Sequence, residues 1–192
     1  MFSLTEILGS ETPEISLLDI GAMIEGEPRY TPIYQNGYAS LTLVEPNEES
    51  IKIINKVFGD ESRILKVFLG DGKKAKLYVT YYPGCTSNFK PDPAIINKFF
   101  SINTGPKSNF EVMRTENVET TRLDDISPKI DCDYIKLDIQ GSELKVLKNG
   151  INTLKNALVV ESEAEFIPIY KNHNFNRNSG FSWNWYNDTS FT

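Results

Sequence analysis

Acids stand at or just past the ends of several short apolar runs: Asp19 after Leu17-Leu18, Glu45 after Leu43-Val44, and Asp71 after Phe68-Leu69-Gly70. Asp138 follows Ile135-Lys136-Leu137, and Glu161 and Glu163 follow Val159-Val160. An ionised carboxylate is an acceptor only and can take two hydroxyl hydrogen bonds. If these acids converge on one edge of a sheet, the rim suits a ligand that is cationic and rich in hydroxyls. Glu45, at the end of the second run, occupies the place of the ribose-binding acid of dinucleotide folds.

The loop after the first run separates the candidate ligands. In Ser16-Leu17-Leu18-Asp19-Ile20-Gly21-Ala22-Met23-Ile24-Glu25-Gly26 a buried strand breaks into a tight turn, where a glycine lets backbone approach a ligand closely. A pyrophosphate-binding loop needs G-x-G-x-x-G opening a long helix whose N-terminus faces the anion. Here the second glycine is out of place, prolines at 28 and 32 keep the following helix short, and Glu25 sits where an anion would go. These features disfavour NAD, and with it a nucleotide-dependent oxidoreductase. S-adenosylmethionine, a nucleoside with a sulfonium and no phosphate, fits the acidic rim better.

The elements that must position these residues follow from apolar period and punctuation. A lead-in helix within 1–14 precedes strand one, about Ile15 to Ile20. Pro28 to Asn36 reads as a short helix closed by Gly37. Strand two, Ser40 to Val44, leads to Asn47, which can cap a helix over Glu48 to Phe58 with Ile51, Ile54, Val57 and Phe58 on one face. Ile64 to Leu69 reads as strand three, Tyr134 to Ile139 as strand four and Leu158 to Glu161 as strand five, with Lys136 a strand residue. A helix over Glu143 to Lys148 turns Leu144 and Leu147 inward. Strands alternating with helices predict an α/β, Rossmann-like, doubly wound and mostly parallel sheet with helices on both faces. Between the third and fourth strands, roughly 73–128, the pattern changes to period two over Ala75 to Thr80. That block reads as a β-rich insertion, with a short helix over Pro93 to Phe100 and a strand or bulged pair over Phe110 to Thr121. Insertions on the carboxyl side of such sheets shape substrate sites. The tail, about 172–192, is irregular and aromatic, and its Phe181, Trp183, Trp185 and Tyr186 read as packing residues; His173 there reads as a surface residue.

At 192 residues the chain has the length of one domain, with a core over about 15–170. A net charge of −6 argues against nucleic acid as a partner, because phosphate-backbone affinity comes from Lys and Arg. No run approaches the roughly 18 to 20 apolar residues of a membrane span, and the first residues do not read as a signal peptide. Cys85 and Cys132 have no metal-ligand or disulfide spacing, so no metal is expected and a cytoplasmic setting is. A homo-oligomer that covers an exposed sheet edge is an open expectation.

The run Asp133-Tyr134-Ile135-Lys136-Leu137-Asp138-Ile139-Gln140-Gly141-Ser142-Glu143-Leu144-Lys145-Val146-Leu147-Lys148-Asn149-Gly150 resembles the signature of the FkbM family of methyltransferases. So do Thr121-Arg122-Leu123-Asp124-Asp125-Ile126 and Tyr82-Pro83-Gly84-Cys85-Thr86-Ser87, and with Leu18 to Ala22 and Val44 to Asn47 the resemblance covers about 15–163. It implies a class I sheet, S-adenosylmethionine as donor, and O-methylation of a hydroxyl on a glycan or secondary metabolite. It implies that Asp19, Gly21 and Ala22 approach the amino-acid end of the cofactor, Glu45 the ribose, and Gly70 and Asp71 the adenine side. Methyl transfer needs alignment and a base, so Asp138 is the first candidate to orient the acceptor or take its proton, followed by Glu143 and Glu163. Glu143 can equally serve only the N-terminus of its helix. The competing reading is a non-catalytic cofactor-binding or scaffold protein on a degenerate methyltransferase fold, in keeping with the altered glycine loop.

Overall fold

The computed structural model describes residues 4–163 and 165–171, so the readings made for the tail lie outside the described residues. Five strands form one parallel sheet: β1 (Ile15–Ile20), β2 (Ala39–Val44), β3 (Arg63–Leu65), β7 (Tyr134–Leu137) and β8 (Val159–Ser162), in the order β3-β2-β1-β7-β8. Parallel neighbours need crossovers, and the helices that supply them cover both faces, as expected. On one face α2 (Thr31–Gln35) and α3 (Glu48–Phe58) enclose a cluster of Leu17, Leu41, Leu43, Tyr30, Ile54 and Phe58. On the other, α5 (Glu143–Lys148) and α6 (Ile151–Leu154) bury Val146, Leu147 and Leu154 against Leu18, Ile20 and Ile135.

Local chemistry explains the elements. The Asn47 side chain accepts from the amides of Glu49 and Ser50 at 2.9 and 3.1 Å, which starts α3 where the sequence places it. Ile54 and Phe58 carry its buried face, whereas Val57 is exposed. In α5 it is Val146 and Leu147 that face inward, not Leu144, which is exposed. Among the described residues α1 spans Leu4–Leu8 and passes into a 3-10 turn over Gly9–Glu11.

The largest departure lies after β3. The apolar run 64–69 is two strands, because β4 (Phe68–Leu69) leaves the parallel sheet and pairs with Thr120 and Thr121 of β6 (Val112–Thr121). β6 runs antiparallel to β5 (Lys74–Thr80) as one strand of ten residues with an irregularity at Val79/Thr80. The resulting sheet, ordered β4-β6-β5, is the β-rich insertion. Its polar loop carries a 3-10 turn over Pro83–Cys85 and a single turn of helix, α4 (Pro93–Ile96), shorter than the sequence implies. Cys85, Ile96, Phe110 and Tyr170 pack a third cluster there, so the segment before 171 docks on the insertion. The Asp92 amide donates to the Ile169 carbonyl and that of Lys171 to the Lys90 carbonyl.

Candidate functional site

The acids at the ends of β1, β2, β7 and β8 do converge on the carboxyl edge of the sheet, but in different states, and Asp71 does not join them. Asp19 is buried at the end of β1, and both its oxygens are engaged. Tyr30 donates to Oδ2 at 2.7 Å from α2's entry, and Lys136 Nζ lies 3.1 Å from Oδ1. Lys136 is the direct register partner of Asp19 on β7. Burial pushes the Asp19 carboxyl above its ordinary range, and the Lys136 charge and the Tyr30 and Lys136 hydrogen bonds oppose that rise. Lys136 is thus the counter-ion of the first strand end rather than a plain strand residue. The available signal was a lone cation in an apolar strand, which needs an acid at the same level of a neighbour.

Gly21 turns the chain with φ of +82°. A Cβ there would stand 1.9 Å from the Asp138 carbonyl oxygen, so this glycine is required where the ends of β1 and β7 touch. The amides of Gly21 and Ala22 both donate to the Val44 carbonyl, at 3.0 and 3.2 Å. Ala22 buries its methyl in the core, and Met23 faces the cavities in its place.

Glu45 is buried at the end of β2, where its Oε1 accepts from the Asn47 amide at 2.7 Å and burial raises its carboxyl. It lines a cavity of about 560 Å³ between the strand ends and the insertion, a volume ordinary for a cofactor site. Val67, Phe68 and Leu69 give the cavity an apolar wall, and Ile139 and Ser142 line it from the β7 side. Gly70 and Asp71 are not part of that lining. Because β4 departs toward β6, Gly70 packs on Thr120, where a Cβ would meet the side chain at 2.8 Å, and Asp71 accepts from the Lys73 amide in the turn into β5.

Past β7, Asp138 is exposed and faces this cavity together with a smaller one of about 250 Å³. Gly21, Met23, Gly84 and Gln140 also belong to both. The smaller cavity reaches Asp19, Lys136, Glu25 and Glu27. Gly84, in the insertion's 3-10 turn, sits so close to the Gly21–Gly26 loop that a Cβ would meet Glu25 Oε1 at 2.3 Å. The insertion therefore rests on the glycine loop at the junction of the two cavities.

Glu143 is buried and turned inward: its Oε1 accepts from the amides of Ile139 and Gly141, at 2.9 and 3.2 Å. It shapes the loop after β7. Glu163 stands beside Asp138, and burial first and the Asp138 charge second push its carboxyl up to about 7. Glu165 is pushed up to about 8 by burial and by the charges of Glu143, Glu163 and Asp138. Gln140 ties the group together, donating from Nε2 to Asp138 Oδ1 at 3.3 Å and to Glu163 Oε2 at 3.2 Å while its Oε1 accepts from Tyr170 at 2.9 Å. Neither Gln140 nor Glu165 has a sequence signal as a site residue, since Glu163 and Tyr170 reach Gln140, and Glu143 and Asp138 reach Glu165, from distant segments.

Compared with known proteins, the chain matches the family model described as the methyltransferase FkbM domain over residues 19–180. No curated protein and no solved structure matches it.

Proposed function

We infer that this chain, which belongs to the FkbM methyltransferase family, binds S-adenosylmethionine at the carboxyl edge of its parallel sheet and methylates a hydroxyl of a glycan or secondary metabolite. The observation that carries the reading is the placement of Glu45, Gly21 and Asp138 around one cavity at that edge. In this reading Glu45 holds the ribose hydroxyls, Val67 to Leu69 face the adenine, and the β1 end with Lys136 and Asp138 receives the amino-acid end. The residues fit the group: the large cavity combines an apolar wall with a buried carboxylate, and the smaller one offers carboxylates and an ammonium to a zwitterion. When bound, the cofactor supplies an electrophilic methyl. In this reading the chain aligns the acceptor and takes its proton through Asp138, which lines both cavities, with Glu163 beside it. Glu143 acts through the backbone it holds. Two buried free thiols, Cys85 and Cys132, accord with a reducing, cytoplasmic setting.

Calorimetric titration with S-adenosylhomocysteine tests the reading, using wild type and Glu45→Ala. Loss of charge-assisted bonds to the ribose should weaken binding by roughly 10- to 100-fold, with an unfolding midpoint close to that of wild type. Wild-type protein that fails to bind S-adenosylhomocysteine would overturn the donor assignment and favour the scaffold reading.

A further inference from the structure

The wall that the insertion gives the large cavity is not uniformly apolar. In the antiparallel β5–β6 pair Val79 stands opposite Arg114 and Leu77 opposite Glu116. Residues directly opposite share a face of the sheet, and all four line the cavity. Met113 lines it too, although neighbours along a strand normally point to opposite faces. The irregularity at Val79/Thr80 accounts for this. Thr80 pairs with Val112 and Val79 with Arg114, which leaves Met113 as the extra residue of a bulge. Bulges beside binding sites re-aim side chains, and this one turns Met113 and Arg114 together onto the cavity.

Among the described residues Arg114 is the one cation in that lining. Glu116 Oε1 accepts from its Nε at 2.6 Å and so holds the guanidinium by one edge. The N–H groups of the two terminal nitrogens lie beyond that bond, in a planar fork that fits a carboxylate. An exposed ion pair adds little to stability, so folding alone does not account for a charge at this place. Tyr81 and Met113, both about half exposed, give the same wall an apolar surface. The opposite wall has the other sign, with Glu45 and Asp138 at the strand ends. A molecule with a negative charge and a hydroxyl is therefore oriented by the cavity, its charge toward the hairpin and its hydroxyl toward Asp138.

We propose that Arg114 selects the acceptor, which carries a carboxylate on a hydroxylated ring: the carboxylate sits on the Arg114 fork and the ring against Tyr81 and Met113. The inference rests on the donor reading above and adds to it the charge of the acceptor. Glu116 is a positioning residue, acting through the guanidinium that it holds. Two sources share this chemistry, an acidic sugar unit of a glycan and an aromatic hydroxy acid, and the test separates them.

The test is calorimetric titration of the chain saturated with S-adenosylhomocysteine, using two matched pairs of probes. One is tetragalacturonate and its methyl ester, the other 4-hydroxybenzoate and its methyl ester; esterification removes the charge and keeps the hydroxyls. In one pair the acid should bind about tenfold or more tighter than its ester, and which pair shows this identifies the source. Raising sodium chloride from about 0.05 to about 0.5 M should shrink the preference severalfold. Arg114→Gln, at an exposed residue, should abolish the preference at unchanged S-adenosylhomocysteine affinity. Arg114→Lys should restore part of it, since the charge returns without the fork. Wild type that binds S-adenosylhomocysteine but prefers the acid in neither pair, or a preference that persists in Arg114→Gln, would overturn the proposal while leaving the donor reading intact. Wild type that does not bind S-adenosylhomocysteine would overturn both.

Discussion

The ends of β1 and β7 sit side by side and hold acids in opposite ways. At β1 the carboxylate of Asp19 is closed off, with a phenol on one oxygen and an ammonium on the other. At β7 and β8 the carboxylates of Asp138 and Glu163 share one amide, that of Gln140. The first arrangement fixes a charge between two partners, and the second sets two acceptors side by side under one donor. Neighbouring acids on one sheet edge therefore do different work, and the side chains arriving from other segments decide which.

The seam between the two ends is the most sensitive point. Gly21→Ala would place a methyl group against the Asp138 carbonyl at a φ that alanine rarely adopts, and should cost about 4 kcal/mol in urea unfolding. A loss below about 1 kcal/mol would mean that the two ends are not in contact. Next, Asp19→Ala strands Lys136 beside a buried phenol and should cost about 3 kcal/mol. Lys136→Met in the same background should recover part of that loss, because the uncompensated charge goes with it. Lack of recovery would deny the pair its closed character.

The smallest effect sharpens the other side. Glu163 has a folded value of about 7 against an ordinary 4.5, so the folded state binds more protons than the unfolded state between those limits. Its contribution to stability is present below about pH 4.5 and is lost as pH rises toward 7. Glu163→Gln removes that loss. The variant's melting temperature relative to wild type should be higher at pH 8 than at pH 5, and a pH-independent difference would show that folding does not raise the Glu163 carboxyl.

Much of this was legible in the residues. Apolar runs that end in Asp or Glu, alternating with helices, mark β1, β2, β7 and β8, because burial on both faces leaves a continuous apolar signal. Asn47 at the head of α3 and the strand-four run were equally readable. The split of 64–69 was not, since β4 is defined by its pairing with Thr120 and Thr121, about fifty residues away, and no local pattern encodes that choice. The same limit hid the placement of Gly70 and Asp71 outside the cavity. Within the site, Glu45 and Asp138 could be read from their strand ends. The inward turn of Glu143 and the role of Gln140 depend on backbone amides and side chains that only the folded chain brings together.

The insertion meets the parallel core at separate places: the Gly84 turn on the glycine loop, Ser87 on Gln140, Asp124 on the amides of Asn152 and Thr153, and Leu123 and Ile126 in the core cluster. Its β5–β6 hairpin supplies one wall of the large cavity, through Leu77, Val79, Met113 and Arg114, while every strand-end acid stays on the other side. Inheritance can therefore act on the two walls separately. Substitutions or insertions within the hairpin would redraw the shape offered to an incoming molecule and leave the residues at the strand ends beneath unchanged.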